Sequence, residues 1–194
     1  MRGSNHDTTG AHASRPVWLV GMMGVGKSTI GPLVASELAR PFIDTDDAIV
    51  ALAGKSVQEI FASEAEAGFR DRERAAIADA AKQAAVTALG GGAIAQPGAP
   101  EQLAALGTVV YLRARPATLL ERIGDGSRRP LLAGLSREGR LERLTSLLEE
   151  RAEAYESALV VVDVDDWAAA GVAREIAAGV LACEAAATAH GGGN

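Results

Sequence analysis

The sequence has a single cysteine, Cys183. It can form neither an internal disulfide nor a cysteine-rich zinc site. A reducing, cytoplasmic setting is the expectation. Three histidines are scattered along the chain, two of them near its start, and make no metal cluster. Aromatic residues are 4% of the chain and the net charge is -6. Such a chain lacks the stacking platforms and the basic groove that nucleic-acid binding uses. No apolar run approaches the ~20 residues needed to span a bilayer. Residues 1–15 are polar and lack the apolar centre of a signal peptide. They read as a disordered leader, and residues 184–194 as a flexible tail.

What is present is globular composition. Hydrophobic residues are 48% and charged residues 23% of 194, enough apolar surface to offset chain entropy in one domain. That domain is expected over 16–183. Alanine is about a fifth of the chain, which favours helices joined by short strands. Strand and helix signals alternate. Apolar runs at 16–20, 41–44, 85–89, 108–112 and 159–163 read as strands. Helical spacing covers 27–39, 47–53, 101–106, 116–123, 137–157 and 168–187. Ser56 with Glu59, and Ser63 with Glu66, fit capping boxes that start two further helices. Short apolar strands alternating with helices imply an α/β fold, a parallel sheet covered on both faces.

Gly21-Met-Met-Gly24-Val25-Gly26-Lys27-Ser28 matches G-x-x-x-x-G-K-[ST] between a strand and a helix. Such a loop turns backbone N–H groups around phosphate oxygens at a helix N-terminus. Lys27 is expected to reach the β- and γ-phosphates, and the Ser28 hydroxyl to hold Mg²⁺. Asp44-Thr45-Asp46 ends the second strand. Residues two apart on a strand share a face, so both carboxylates can enter the crevice beyond the sheet. One could act near Mg²⁺ and the other accept a proton from a hydroxyl. Thr45 or Asp46 capping the following helix is the equally open alternative.

Arg70 and Glu73 fit a solvated ion pair on a helix, or Arg70 fits a clamp for a carboxylate. Arg151 lies among Glu149, Glu150 and Glu153, and by composition a surface salt bridge is the favoured reading. Gly90, Gly91 and Gly92 permit a ligand to approach backbone closely, or make a flexible turn. The segment 124–137, with Arg128, Arg129 and Pro130, is a candidate lid or a solvated loop. Arg122 could stack on a base or cover its helix.

Taken in order, these residues resemble shikimate kinase, a small P-loop kinase of the nucleoside-monophosphate-kinase type. The likeness runs from about Val17 to Leu181. It rests on the phosphate loop through Thr29, Phe42-Ile-Asp44-Thr-Asp46, Ile60-Phe61, Gly68-Phe69-Arg70 with Glu73, the triple glycine, Arg129-Pro130-Leu131-Leu132, and Arg151 with Tyr155.

The resemblance implies a three-layer fold with parallel strands in the order 2-3-1-4-5, and a monomeric cytoplasmic enzyme that phosphorylates the shikimate 3-hydroxyl from ATP. Catalytic roles would fall to Asp46, Lys27 and Arg129. Gly24, Val25, Gly26, Lys27, Ser28, Thr29, Arg122 and Arg129 would bind ATP. Asp46, Arg70, Gly91, Gly92 and Arg151 would bind shikimate, and Phe61 would pack on its ring. Ser28 would hold Mg²⁺ directly and Asp44 through water. The chain departs from the family after the fifth strand, where a basic residue often sits near adenine. Here that segment is Asp163-Val-Asp165-Asp166-Trp167. Two rival readings are a gluconate kinase, whose acceptor also carries a carboxylate, and a non-catalytic nucleotide-sensing module. The intact Lys27, Asp46 and Arg129 set argues against the second.

Overall fold

The computed structural model describes residues 14–126, 129–166 and 168–191. Arg128, Trp167 and most of the expected leader lie outside the described residues. The strands are β1 (Val17–Val20), β2 (Phe42–Asp44), β3 (Val86–Ala88), β4 (Thr108–Arg113) and β5 (Val160–Asp163). The helices are α1 (Lys27–Glu37), α2 (Thr45–Ala53), α3 (Val57–Ala80), α4 (Ala99–Leu106), α5 (Pro116–Ile123), α6 (Arg137–Glu156) and α7 (Ala169–Gly191). Every strand pairing is parallel, and the order is β2-β3-β1-β4-β5. Fold class and strand order agree with expectation.

The central strand shows why the sheet needs helices on both faces. Its four residues are all buried. Side chains alternate across a strand. Val17 and Leu19 therefore pack with Ile30, Val34, Val172 and Ile176 on one face. Trp18 and Val20 pack with Leu103, Tyr111 and Tyr155 on the other. Trp18 satisfies its buried indole N–H on Leu103 O at 3.1 Å. Ile49, Ile60, Phe69 and Ala76 form a separate apolar cluster between α2 and α3. No described helix is long and apolar enough to cross a membrane.

Three local expectations are corrected. The helix expected at 47–53 starts at Thr45, and its cap is Asp44, whose side chain accepts from Asp46 N at 3.0 Å. Thr45 cannot cap because its hydroxyl donates to Ala88 O and accepts from Gly90 N. The Ser56–Glu59 capping box forms as expected. Ser63 starts nothing: its hydroxyl donates to Glu59 O in the preceding turn at 2.7 Å. The break in α3 falls instead at Ala65, at φ 56 and ψ -173.

Parts of the expected leader and tail carry described structure. Helix α7 continues to Gly191, through the segment expected to be a flexible tail from residue 184. Arg40 holds Glu184 through both carboxylate oxygens, at 2.9 and 2.7 Å. The same guanidinium donates to Arg15 O at 3.1 Å. Arg15, counted in the leader, donates in turn to Ala105 O.

Candidate functional site

The site lies beyond the C-terminal ends of β1, β2 and β3. The loop after β1 delivers Gly24 and Gly26 to a cleft of about 520 Å³, and α1 adds Lys27, Ser28 and Thr29. Asp44 and Asp46 enter from the β2–α2 junction, and Gly90 and Gly91 from the end of β3. Arg122 on α5 and Arg129 in the lid segment complete the lining. The Lys27 ammonium donates to Gly21 O at 2.7 Å and Met22 O at 3.2 Å, so it lies along the loop. Burial pushes its pKa down to about 8, against the pull of Asp46 and Asp44. The Ser28 hydroxyl donates to Asp44 Oδ2 at 2.6 Å. This pairing of hydroxyl and carboxylate oxygens is a donor set of the kind hard cations take.

Asp46 is the pivot. It lines the nucleotide cleft and also a smaller cavity of about 90 Å³ behind it. Its Oδ1 is buried without a hydrogen-bond partner. Burial, with Asp44 beside it, raises its pKa above the ordinary aspartate value, while Lys27 and Arg129 oppose the rise. A buried acceptor left open is costly, and this one lies against Gly90, 3.2 Å from where a Cβ there would stand.

The smaller cavity is walled by Phe61, Phe69, Arg70, Glu73, Gly92 and Arg151. Arg70 does pair with Glu73, at 2.7 Å, and with Glu66 at 3.0 Å. The pair is not solvated: the Glu73 side chain is 2% exposed and its Oε1 has no partner. Burial raises the Glu73 pKa, against the pull of Arg70. Two glycines are required by close approach. A Cβ at Gly92 would stand 2.7 Å from Arg70 Nη2, and one at Gly90 would stand 2.3 Å from Glu73 Oε1.

Arg151 is not a surface residue. It is buried, donating to Gly91 O at 3.0 Å and to Met22 Sδ at 3.6 Å. Composition misled because the neighbouring glutamates occupy the outer face of the same helix, where Glu150 pairs with Arg143.

Val25 and Arg122, both expected at the nucleotide, also bond to backbone carbonyls of the protein. Val25 does not line the cleft; its side chain is in the core and its N–H donates to Met22 O. Arg122 reaches Val25 O, Val164 O and Asp165 O, at 3.3, 2.6 and 3.3 Å. It thus ties the phosphate loop to the segment after β5. That segment lacks a basic residue of its own, and its acids are met from β4 onward. Arg113 pairs with Asp163 at 2.6 Å and Arg115 with Asp165 at 3.1 Å. Glu73 lines the smaller cavity although sequence reasoning did not assign it, and Gly90, singled out only with the triple glycine, lines both cavities. The only signal for Glu73 was its spacing from Arg70, which fits a surface pair equally well.

Comparison with known proteins agrees with this geometry. The family model for shikimate kinase matches residues 23–180. A shikimate kinase from Halorhodospira halophila is 44% identical over 170 residues, covering 86% of this chain and 94% of its own. One from Prosthecochloris aestuarii is 38% identical over 155 residues, covering 77% and 79%. The solved structure of shikimate kinase from Acinetobacter baumannii in complex with shikimate has a TM-score of 0.80 at 36% identity, covering 87% of this chain and 93% of that one. A gluconokinase from Sinorhizobium meliloti, at 21% identity, TM-score 0.58 and coverage of 88% and 93%, shares the fold alone. With its family match and these relatives, the chain belongs to the shikimate kinase family.

Proposed function

We propose that this chain transfers the γ-phosphoryl group of ATP to the 3-hydroxyl of shikimate. The products are shikimate 3-phosphate and ADP, a step toward chorismate and the aromatic amino acids. The observation that carries the reading is that Asp46, with a buried and unpartnered Oδ1, lines both the phosphate-loop cleft and the arginine-lined cavity. Family membership and the shikimate complex of the Acinetobacter relative support the choice of acceptor.

Each residue then has a task. Asp46 orients the acceptor hydroxyl and takes its proton as the oxygen bonds to the γ-phosphorus and the bridging bond to ADP breaks. Lys27 exchanges the Gly21 and Met22 carbonyls for phosphate oxygens, since an anion is the stronger partner for an ammonium. Gly24, Gly26, Ser28 and Thr29 surround those phosphates, and Arg122 holds the wall beyond them. Arg70 and Arg151 grip the carboxylate of shikimate, with Gly91 and Gly92 offering backbone. Phe61 and Phe69, 4.8 Å apart between ring centroids, give the ring an apolar wall. Arg129 lines both cavities and meets the charge developing between them. Mg²⁺ would be held by Ser28 directly and Asp44 through water, and when bound it neutralises phosphate charge.

A coupled assay of ADP release tests the reading, with shikimate, gluconate and no acceptor compared. Stimulation by shikimate alone is expected. Equal stimulation by gluconate, or none by shikimate, would overturn it.

A further inference from the structure

The Gly91 carbonyl oxygen receives two donors from one helix. Arg151 Nη1 donates to it at 3.0 Å, and the Tyr155 hydroxyl donates to the same atom. Tyr155 is fully buried. Its ring is stacked on Tyr111 with centroids 4.8 Å apart and planes 6° from parallel, which fixes where the hydroxyl points. Gly91 is equally confined: a Cβ there would lie 3.2 Å from Met23 N and 3.5 Å from Gly21 O. This one peptide is therefore gripped between the phosphate loop and α6.

The two donors differ in what else they can do. Arg151 lines the acceptor cavity. It meets the Gly91 carbonyl, the Met22 thioether and the Tyr155 hydroxyl, all neutral and the thioether a weak acceptor. A carboxylate entering the cavity is a stronger partner and draws the guanidinium toward itself. That movement withdraws a donor from a part-buried carbonyl at the cavity wall. Tyr155 does not line the cavity and has no such alternative.

We propose that Tyr155 is a positioning residue that frees Arg151 for the acceptor's anion. Its hydroxyl keeps the Gly91 carbonyl paired while the guanidinium turns to the carboxylate. Without it, Arg151 is the carbonyl's sole side-chain donor among the described residues, and binding the anion leaves a part-buried oxygen without that partner. The inference rests on the acceptor reading given above and adds to it a device that sets carboxylate affinity.

The test is Tyr155→Phe, assayed with shikimate and with its uncharged methyl ester. The shikimate KM is expected to rise about ten-fold, the size of one forfeited buried hydrogen bond. The ATP KM should stay within about two-fold, as loss confined to the acceptor site requires. The preference for acid over ester should fall by the same factor, because only the acid asks Arg151 to move. A Tyr155 that merely supports the fold would raise both acceptor KM values together. An unchanged acid-to-ester ratio, with shikimate still phosphorylated, overturns the proposal.

If Tyr155→Phe does not fold, the ratio is read on a Tyr111→Phe chain grown with 3-fluorotyrosine. The sequence has two tyrosines, so the label then falls on Tyr155 alone. A more acidic hydroxyl donates more strongly, so the preference for acid should rise; no rise refutes the device. If the unsubstituted chain did not phosphorylate shikimate at all, the reading of the reaction would fall, and this device with it.

Discussion

Ala65 holds a backbone conformation suited to glycine, and replacing it should stabilise the protein. At φ 56 and ψ -173 its Cβ is crowded against its own backbone. A non-glycine residue there carries about 2 kcal/mol of strain, the middle of the range for such positions. The break is held by its surroundings. Glu64, just before it, receives both Nε and Nη2 of Arg72, at 2.8 and 3.0 Å. The Glu64 Cβ also packs where a side chain at Gly68 would stand, 2.5 Å from an added Cβ. The helix cannot straighten without breaking these contacts, so the strain stays. Ala65→Gly removes it, but the more flexible unfolded chain takes back about 0.7 kcal/mol. The net gain is about 1 kcal/mol, or about 3 °C in Tm for a chain of this size. Scanning calorimetry of Ala65→Gly beside Ala65→Val gives the answer. Glycine should raise the Tm and valine, which tolerates positive φ least, should lower it. A glycine variant that melts below the parent would mean that residue 65 is not in this conformation in solution.

Asp46→Asn should lower kcat by ~10²-fold or more if the carboxylate is the proton acceptor, and near-normal turnover would reject that role. The same substitution should raise the Tm. A carboxyl whose folded pKa lies above its unfolded value stabilises the fold at low pH and loses that contribution as pH rises through the folded value. Above its folded pKa the ionised Asp46 is therefore a burden on the fold that asparagine lacks. In the parent enzyme the acid limb of the pH profile should sit above the ordinary aspartate range, in line with the raised pKa. Arg70→Ala should raise the shikimate KM and leave the ATP KM almost intact, measured by initial rates. A primary loss of ATP affinity would place Arg70 in the wrong cavity.

Much of this was legible in the sequence where the determining contacts are local. The phosphate loop is one continuous run, so spacing alone sets its shape. The strand pattern follows from apolar runs that need cover on both faces. The errors occurred where a distant residue decided the outcome. Thr45 looked like a helix cap, but β3 engages its hydroxyl from 43 residues away. Arg151 looked solvated because its neighbours in sequence are acidic, yet its own helix face turns to Gly91 across 60 residues. Glu73 looked like a surface partner because burial is invisible in an i,i+3 spacing. Ser63 and Glu66 fit a capping box in letters alone, but a serine in a formed turn finds a carbonyl four residues back.

The Arg40 clasp has a thermodynamic consequence. The Arg40 guanidinium joins Arg15, at the approach to β1, to a carboxylate on the last helix that lies 144 positions beyond Arg40. Opening either end removes a partner from the other, so the last turns of α7 and the approach to β1 share one unfolding equilibrium. The clasp also gathers Arg15 and Glu184 at the end of the sheet where the strands begin, while the ligands are expected where the strands finish. The contacts that fasten the first strand to the last helix thus lie on the far side of the sheet from the cleft.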